Sequence, residues 1–574
     1  MKVYEAIVKG LECVGTEAAF GGAGENAASL MVALDESRSI NAVITKHEQA
    51  ASFMACGYAM LSGRMGFCFA TAGPGAFNLF SGMGVAMSDS YPMLAVSGYS
   101  RREWTGKGGL NETSGKAGTP DSRKMFDACS KKSFFLERRE DICDVMEEAV
   151  NVACNGRPGP VHITVPYDLT LDDIPAGHYR DIELKVAPVT PDLKKVRQAA
   201  ELLAEALKDR KKVLVLAGWG AVRSGAHREV RELIERLQVP LVTTLDGKGI
   251  VPEDHPLAIG VFADSGHKTA WKTWLDAEVV LCVGNSFMQH ATFDFRDDLF
   301  EGKTLVHVNI DEREIDKVYK ADRAIVGDAR LSLVALNAEL AGLAPGPFTP
   351  WTTDRRDYDE DEDILNLQPG KIHPGEMAQA ISRMLPDRGI VLADAGAHLA
   401  WLGHYLELRD GQVFRKPGGF GPMAGNTNGA IGVKMAHPDR TVVAGVGDGC
   451  YLLSGFELMT AVAHKVPVIW VIFNDNEFKL IKIYQVSELM KPALVEFPNP
   501  DWVAYAKACG ARGYEVHSLD EFERAFADAL ASGEPCLIDA HITRLAIPNF
   551  SGNPRGMWAT IAERVRGRMQ KDRD

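Results

Sequence analysis

The chain has 574 residues, 46% apolar and 24% charged, the balance of an ordinary globular protein with two to four domains. Its formal net charge is -14, and apart from a mildly basic C-terminal tail it has no dense Lys/Arg block, which disfavours nucleic acid and anionic membranes as partners. The ten cysteines form no C-x-x-C pair, no window reaches the roughly twenty apolar residues of a membrane span, and no signal-peptide pattern opens the chain, so a cytoplasmic, reducing location is expected.

The first segment, residues 1–185, alternates helical and strand-like stretches. Helical spacing over residues 4–14 leads into "EAAFGG", a helix near 25–34, the β-branched run "NAVIT", and a helix starting at Lys46-His47-Glu48. The strand "GFCFA" then runs into a Gly-Pro-Gly turn and another helix. "PMLAVSGYS" and "GPVHITVPYDL" close the unit near residue 168. A Pro-marked linker resets the pattern around 188–192. In the second segment, 190–345, "KVLVLAG", "VPLVTTLDG", "AEVVLCVG" and "TLVHVNI" read as strands between helices. Residues 346–371 read as a surface linker with an acidic run at 357–363. The third segment, 372–548, has strands at "GIVLADAG", "RTVVAGVG", "VPVIWVIFN" and "PCLIDAHI", and a tail or lid follows at 549–574. Three consecutive doubly wound α/β domains with mainly parallel sheets are expected, the first and third alike in architecture.

Ligands of open parallel sheets gather outside the carboxyl ends of strands. Asp448 and Asp475 each end an apolar run, and one helical stretch separates them, which makes a single βαβ unit and puts both carboxylates on one rim. Gly447 and Gly449 permit a sharp turn and close approach of backbone N–H groups to an anion. Two carboxylates and a carbonyl suit a hard divalent cation such as Mg²⁺ with phosphate oxygens around it. The plainer alternative is a helix cap at Asp448 and a turn at Asp475.

Gly447-Asp448-Gly449 followed by Asn474-Asp475-Asn476 resembles the signature of thiamine-diphosphate-dependent enzymes. Lys46-His47-Glu48 is similar to that family's R-H-E motif, Thr71-Ala72-Gly73-Pro74-Gly75-Ala76-Phe77-Asn78 to its T-x-G-P-G-x-x-N turn, and "GRPGPV" to the stretch before the last strand of the first domain. Nearly the whole chain fits the family's order of PYR, central and PP domains, and the pattern is similar to acetolactate synthase and related carboligases.

The resemblance implies thiamine diphosphate and Mg²⁺ as cofactors. Asp448, Asp475 and the Glu477 carbonyl would hold the ion. Gly396, Ala397 and His398 would touch the diphosphate, Met423 would bend the cofactor, and the Gly421 carbonyl would accept from its aminopyrimidine. Gly73, Pro74, Asn78, Gly447, Gly449, Cys450, Asn476, Phe478 and Leu480 complete the implied cofactor site. Glu48 would bond the pyrimidine N1′ and promote the imino tautomer from a poorly hydrated position with a raised pKa. Because Glu48 and the diphosphate site lie in different domains, the family builds each site across two subunits. A homodimer is then the minimum unit, and a homotetramer is common.

Three departures bear on specificity. Asn111 stands where many synthases carry glutamine, and its arm is shorter. Glu25 stands where decarboxylases often carry Asp, and reads either as a second acid facing the cofactor or as a helix N-terminal acid. Gly284-Asn285-Ser286 lacks the arginine of the flavin-binding G-x-R, so FAD is compatible but not favoured. Lys479 either pairs with a substrate anion or is a solvated helix residue. The leading expectation is decarboxylation of a 2-oxoacid and transfer of the acyl carbanion to a second carbonyl, with 2-oxoacids, aldehydes or acyl-CoA as small-molecule partners. A lyase acting on 2-hydroxyacyl-CoA or a cyclic diketone is the alternative, and a non-catalytic homologue a more distant one.

Overall fold

The computed structural model describes residues 1–344, 346–356 and 368–548. The acidic run at 357–363 and the tail at 549–574 therefore lie outside the described residues. The apolar runs form three six-stranded sheets, and every strand pairing is parallel.

The first sheet consists of β1 (Ala18–Gly21), β2 (Asn41–Ile44), β3 (Gly66–Ala70), β4 (Met93–Tyr99), β5 (Lys132–Phe135) and β6 (Pro160–Pro166), in the order β2-β1-β3-β4-β6-β5. The central sheet has β7 (Val213–Ala217), β8 (Leu241–Thr243), β9 (Ala258–Val261), β10 (Val279–Val283), β11 (Thr304–Asn309) and β12 (Arg323–Val326), in the order β12-β11-β10-β7-β8-β9. The third has β13 (Ile390–Ala393), β14 (Val413–Arg415), β15 (Val442–Gly447), β16 (Val468–Asn474), β17 (Arg512–Val516) and β18 (Cys536–His541), in the order β14-β13-β15-β16-β18-β17. The first and third sheets share one winding order, as their similar patterning predicts, and the central sheet follows another. The order reverses in the interior of each sheet, between β1 and β3, β7 and β10, and β13 and β15, and the first and third sheets also swap their last two strands at one edge. A crevice opens at such a reversal, beyond the carboxyl ends of the strands.

The first and third sheets share a hydrophobic layer. The Glu48–Ser62 helix of the first domain and the Gly425–Ala436 helix of the third are both almost wholly buried in it. Their contact is backbone to backbone: a Cβ on Gly57 would lie 2.0 Å from the Gly429 carbonyl oxygen, and one on Gly432 1.9 Å from that of Met54. Only glycine permits that approach. Alanine at either position is overpacked and costs about 1–3 kcal/mol or more. The Glu48 helix is thus locked against the third domain of its own chain. The helix expected near 25–34 begins later, at Ala28, and runs to Glu36; a single 3-10 turn, Glu25–Ala27, precedes it. No helix among the described residues is long and apolar enough to cross a membrane.

Candidate functional site

At the β13/β15 reversal of the third sheet lies a cavity of about 300 Å³. Gly396, Ala397, His398, Gly421, Met423, Gly447, Asp448, Gly449, Cys450, Asp475, Glu477, Phe478 and Leu480 all line it. The strands explain the convergence. β15 and β16 are adjacent and in register from Val442↔Val468 to Gly447↔Phe473, so the residues just beyond them, Asp448 and Asp475, come out on one rim. The glycines are required by space: a Cβ on Gly449 would meet the Phe478 ring at 2.5 Å, and one on Gly447 the His398 ring at 3.0 Å.

Asp448 is 1% exposed. Its Oδ1 accepts from the Gly449 N–H at 2.8 Å, and its Oδ2 accepts from the Asn476 N–H at 2.7 Å and Asn499 Nδ2 at 2.8 Å. Asp475 is 5% exposed, and no donor among the described residues reaches its carboxylate. Burial pushes the Asp448 carboxyl up to about 6. Burial pushes Asp475 up to about 8; Lys479 opposes the rise, and the charges of Asp448 and Glu477 add to it. Two desolvated carboxylates facing one cavity form a donor set that suits a hard divalent ion. His398, driven by burial to about 3, is neutral, and its Nε2 has no partner among the described residues, which leaves a buried polar atom for a bound anion or water to meet.

The Glu477 carbonyl accepts from the Lys479 N–H at 2.9 Å, and its side-chain carboxylate is held separately. That carboxylate is fully buried and is clamped by Lys479 at 2.9 Å and by Lys482. Lys479 also donates to the Arg544 carbonyl. The reading of Lys479 as a solvated helix residue is thereby corrected: it is ion-paired with Glu477 and lines the cavity. Cys450 is likewise engaged, its Sγ donating to the Ala395 carbonyl at 3.0 Å.

The first-domain residues gather elsewhere, at the β1/β3 reversal. Asn78 Nδ2 donates to Glu48 Oε2 at 2.9 Å. Gly22 and Gly75 make room for the glutamate, since a Cβ on either would meet it at 2.4 and 3.0 Å. Gly73, at φ +62°, leads into Pro74 and the turn that presents Asn78, and a Cβ on it would meet Asn111 at 3.0 Å. Asn111, at φ +58°, sits in a glycine-rich loop gathered around the Glu112 carboxylate, which accepts from the Gly108 and Gly109 N–H groups at 2.9 and 3.0 Å. The Ser114 hydroxyl, then the loop amides, hold that carboxyl down to about 2. Glu25 is exposed on its 3-10 turn, and none of these first-domain residues lines the third-domain cavity.

Several residues around the site escape sequence reasoning. Asn499 bridges Asp448, Asn474 and Asn476 through one amide, with Nδ2 to oxygen distances of 2.8, 2.9 and 3.2 Å. Asp394, at the end of β13, accepts from the Thr427 hydroxyl and N–H and from the Ala395 N–H, and so fixes the turn into Gly396. Arg544 Nε donates to the Asp475 carbonyl at 2.5 Å. An acidic or amide residue at the end of a buried strand is a signal that would have found Asp394. Asn499 and Arg544 lie in irregular segments and carry no such mark.

A larger cavity, about 590 Å³, opens at the β7/β10 reversal of the central sheet and takes in residues of all three domains. Arg157, Arg223, Asp246 and Asn285 line it, and Asn285 Nδ2 is without a partner among the described residues. Gly284-Asn285-Ser286 forms part of its wall and offers no arginine.

Residues 1–118, 200–336 and 394–540 match, in turn, the thiamine pyrophosphate enzyme N-terminal TPP binding domain, central domain and C-terminal TPP binding domain. The chain is 32% identical to a probable acetolactate synthase large subunit of Methanocaldococcus jannaschii, over 99% of this chain and 96% of the relative. It is 31% identical to the corresponding protein of Methanococcus aeolicus, over 94% and 92%. To the acetolactate synthase isozyme 3 large subunit of Escherichia coli K12 it is 29% identical, over 92% of each.

Proposed function

The chain belongs to the thiamine pyrophosphate enzymes, and on that premise we propose that it decarboxylates a 2-oxoacid and transfers the acyl unit to a second carbonyl, as an acetolactate synthase-like carboligase. The observation that carries this reading is the pair Asp448 and Asp475, desolvated and facing one glycine-walled cavity. Mg²⁺ fits there with the two carboxylates and the Glu477 carbonyl as protein ligands, and the diphosphate fits against Gly396–His398 and Gly447–Gly449. When bound, thiamine diphosphate supplies the nucleophilic carbon and the electron sink that the chemistry needs.

The protein's part is positioning and proton control. Asn499 and the Asn476 and Gly449 amides hold the Asp448 carboxylate in place, and Lys479 and Lys482 hold Glu477. Met423 and Leu480 give the cavity apolar walls that exclude water. Glu48, steadied by Asn78, would exchange a proton with the pyrimidine N1′. Its cluster does not line the third-domain cavity of its own chain, so a second copy must supply it. Leu453 and Phe456, about 60% exposed on the segment that follows Asp448, offer apolar surface for that copy (59% and 61%). The working unit is then a dimer. Flavin is not assigned to the central cavity, because Gly284-Asn285-Ser286 has no arginine for it.

The test is to incubate the Mg²⁺- and cofactor-loaded protein with a panel of 2-oxoacids, aldehydes and acyl-CoAs and identify products by mass spectrometry. The expected product is a 2-hydroxy-3-oxoacid from paired 2-oxoacids, with Glu48→Gln close to inactive. Products from acyl-CoA alone, or full activity in the variant, would contradict the reading.

A further inference from the structure

Glu457 is a buried acid of the third domain, 2% exposed, whose carboxylate points out of its own domain. Its Oε1 accepts from the backbone N–H of Lys46 at 2.9 Å and of His47 at 3.1 Å, more than 400 residues away in the chain (411 and 410). Its Oε2 accepts from the Thr460 hydroxyl at 2.6 Å, which fixes the carboxylate's rotation. Lys46 and His47 are the two residues immediately before Glu48, and His47 is the N-cap of the Glu48–Ser62 helix.

The other ties on that turn come from within the first domain. The Thr45 N–H donates to the Gly21 carbonyl at 2.9 Å, and the His47 ring accepts from the Gln49 N–H at 3.2 Å. Among the described residues, Glu457 supplies the one acceptor for the amides of Lys46 and His47. Farther along, the helix is locked by the glycine contacts with the Gly425–Ala436 helix, so its axis does not depend on Glu457. What depends on it is the direction in which the first turn leaves that axis, and with it the place of the Glu48 carboxylate.

We infer that Glu457 is a positioning residue for Glu48: a carboxylate from the third domain that clamps the two amides ahead of it and sets where its proton-transferring oxygen sits. The inference rests on the proposed role of Glu48. It reaches further, because Glu457 lies on the Asp448–Ser454 and Gly455–Glu457 helical segment that Asp448 begins. One short stretch therefore carries the cavity's carboxylate at its start and the clamp on the Glu48 turn at its end.

The test compares the full-length wild type with Glu457→Met, which keeps volume and removes the acceptors, and Glu457→Gln, which keeps a carbonyl oxygen for both amides. Amide hydrogen exchange over residues 45–49, measured without cofactor, should be at least about tenfold faster in Glu457→Met and unchanged in Glu457→Gln, with the helix interior protected in both. With Mg²⁺ and cofactor saturating, kcat of Glu457→Met should fall at least about tenfold, while KM stays within about twofold and Glu457→Gln restores the rate. If Glu457→Met does not fold, Thr460→Val serves: it frees the carboxylate's rotation and should give a smaller change in the same two readouts. Unaltered exchange at Lys46 and His47, or an unaltered kcat beside faster exchange, overturns the inference. Failure of the underlying reading is distinct: the exchange pattern would hold while Glu48→Gln left the rate unchanged.

Discussion

The first and third domains have the same strand order, and each keeps its functional residues at the same reversal, yet the two crevices are built for different work. In the third, two buried aspartates and a wall of glycines face one cavity. In the first, a single glutamate is held by an asparagine, with glycines cleared around it for close approach. The shared fold supplies a place, and the residues at the strand ends decide the chemistry. On the proposed reading, the third domain holds the diphosphate and metal while the first supplies the group that acts on the pyrimidine.

The largest effect that would test this division is on Asp475. Asp475→Asn should lower kcat/KM at least about 1000-fold through lost Mg²⁺ and cofactor affinity, read by calorimetric titration beside kinetics. Glu48→Gln should cost about 100-fold in kcat with cofactor affinity within about threefold, because general acid–base groups act in the transition state. If both variants lose binding alike, the division of labour fails. Glu25→Gln comes next, at about tenfold or more in turnover if Glu25 handles a proton at the site; unchanged kinetics would leave it as an exposed acid on its turn. Asn499→Ala should weaken Mg²⁺ affinity about tenfold, with little change in KM for substrate once the metal saturates.

The two aspartates of the third domain predict a pH dependence, to which Asp89 of the first domain, raised by burial to about 6, adds. Asp448 and Asp475 are raised to about 6 and about 8, so each binds its proton more tightly folded than unfolded. Their contribution to stability is complete below the ordinary carboxylate range, near pH 4, and is lost as pH rises through 6 and 8. Metal-free protein should therefore show a falling Tm across that window. Mg²⁺ affinity should rise over the same window as protons leave the carboxylates, and the Asp475→Asn variant should flatten both trends.

Interior strands and strand-end acids were readable because each leaves a local mark: a buried apolar run, then glycine or a carboxylate. β3, β4, β6, β7, β10, β15 and β16 are of this kind. The strands that left little trace are β5, β9, β12, β14 and β17, every one at a sheet edge. β5 and β17 carry exposed or half-exposed residues at most positions, and β12 begins on an exposed arginine, so no apolar run announces them. The site divides in the same way. Asp448, Asp475 and the glycines beside them are legible from spacing. Asn499, 51 residues from the Asp448 it holds, and Glu457, which holds the turn before Glu48, act across distances with no period to read. Lys479 is not the solvated residue its helix position suggested, because the Arg544 carbonyl, 65 residues on, and the buried Glu477 carboxylate both take its ammonium.

The most direct measurement is a crystal structure of the protein grown with thiamine diphosphate and Mg²⁺. The account predicts one octahedral ion about 2.1 Å from Asp448, Asp475 and the Glu477 carbonyl, with the pyrimidine ring against a second subunit's Glu48. Electron density for the cofactor elsewhere, or an ion that leaves Asp475 without a ligand, would contradict it.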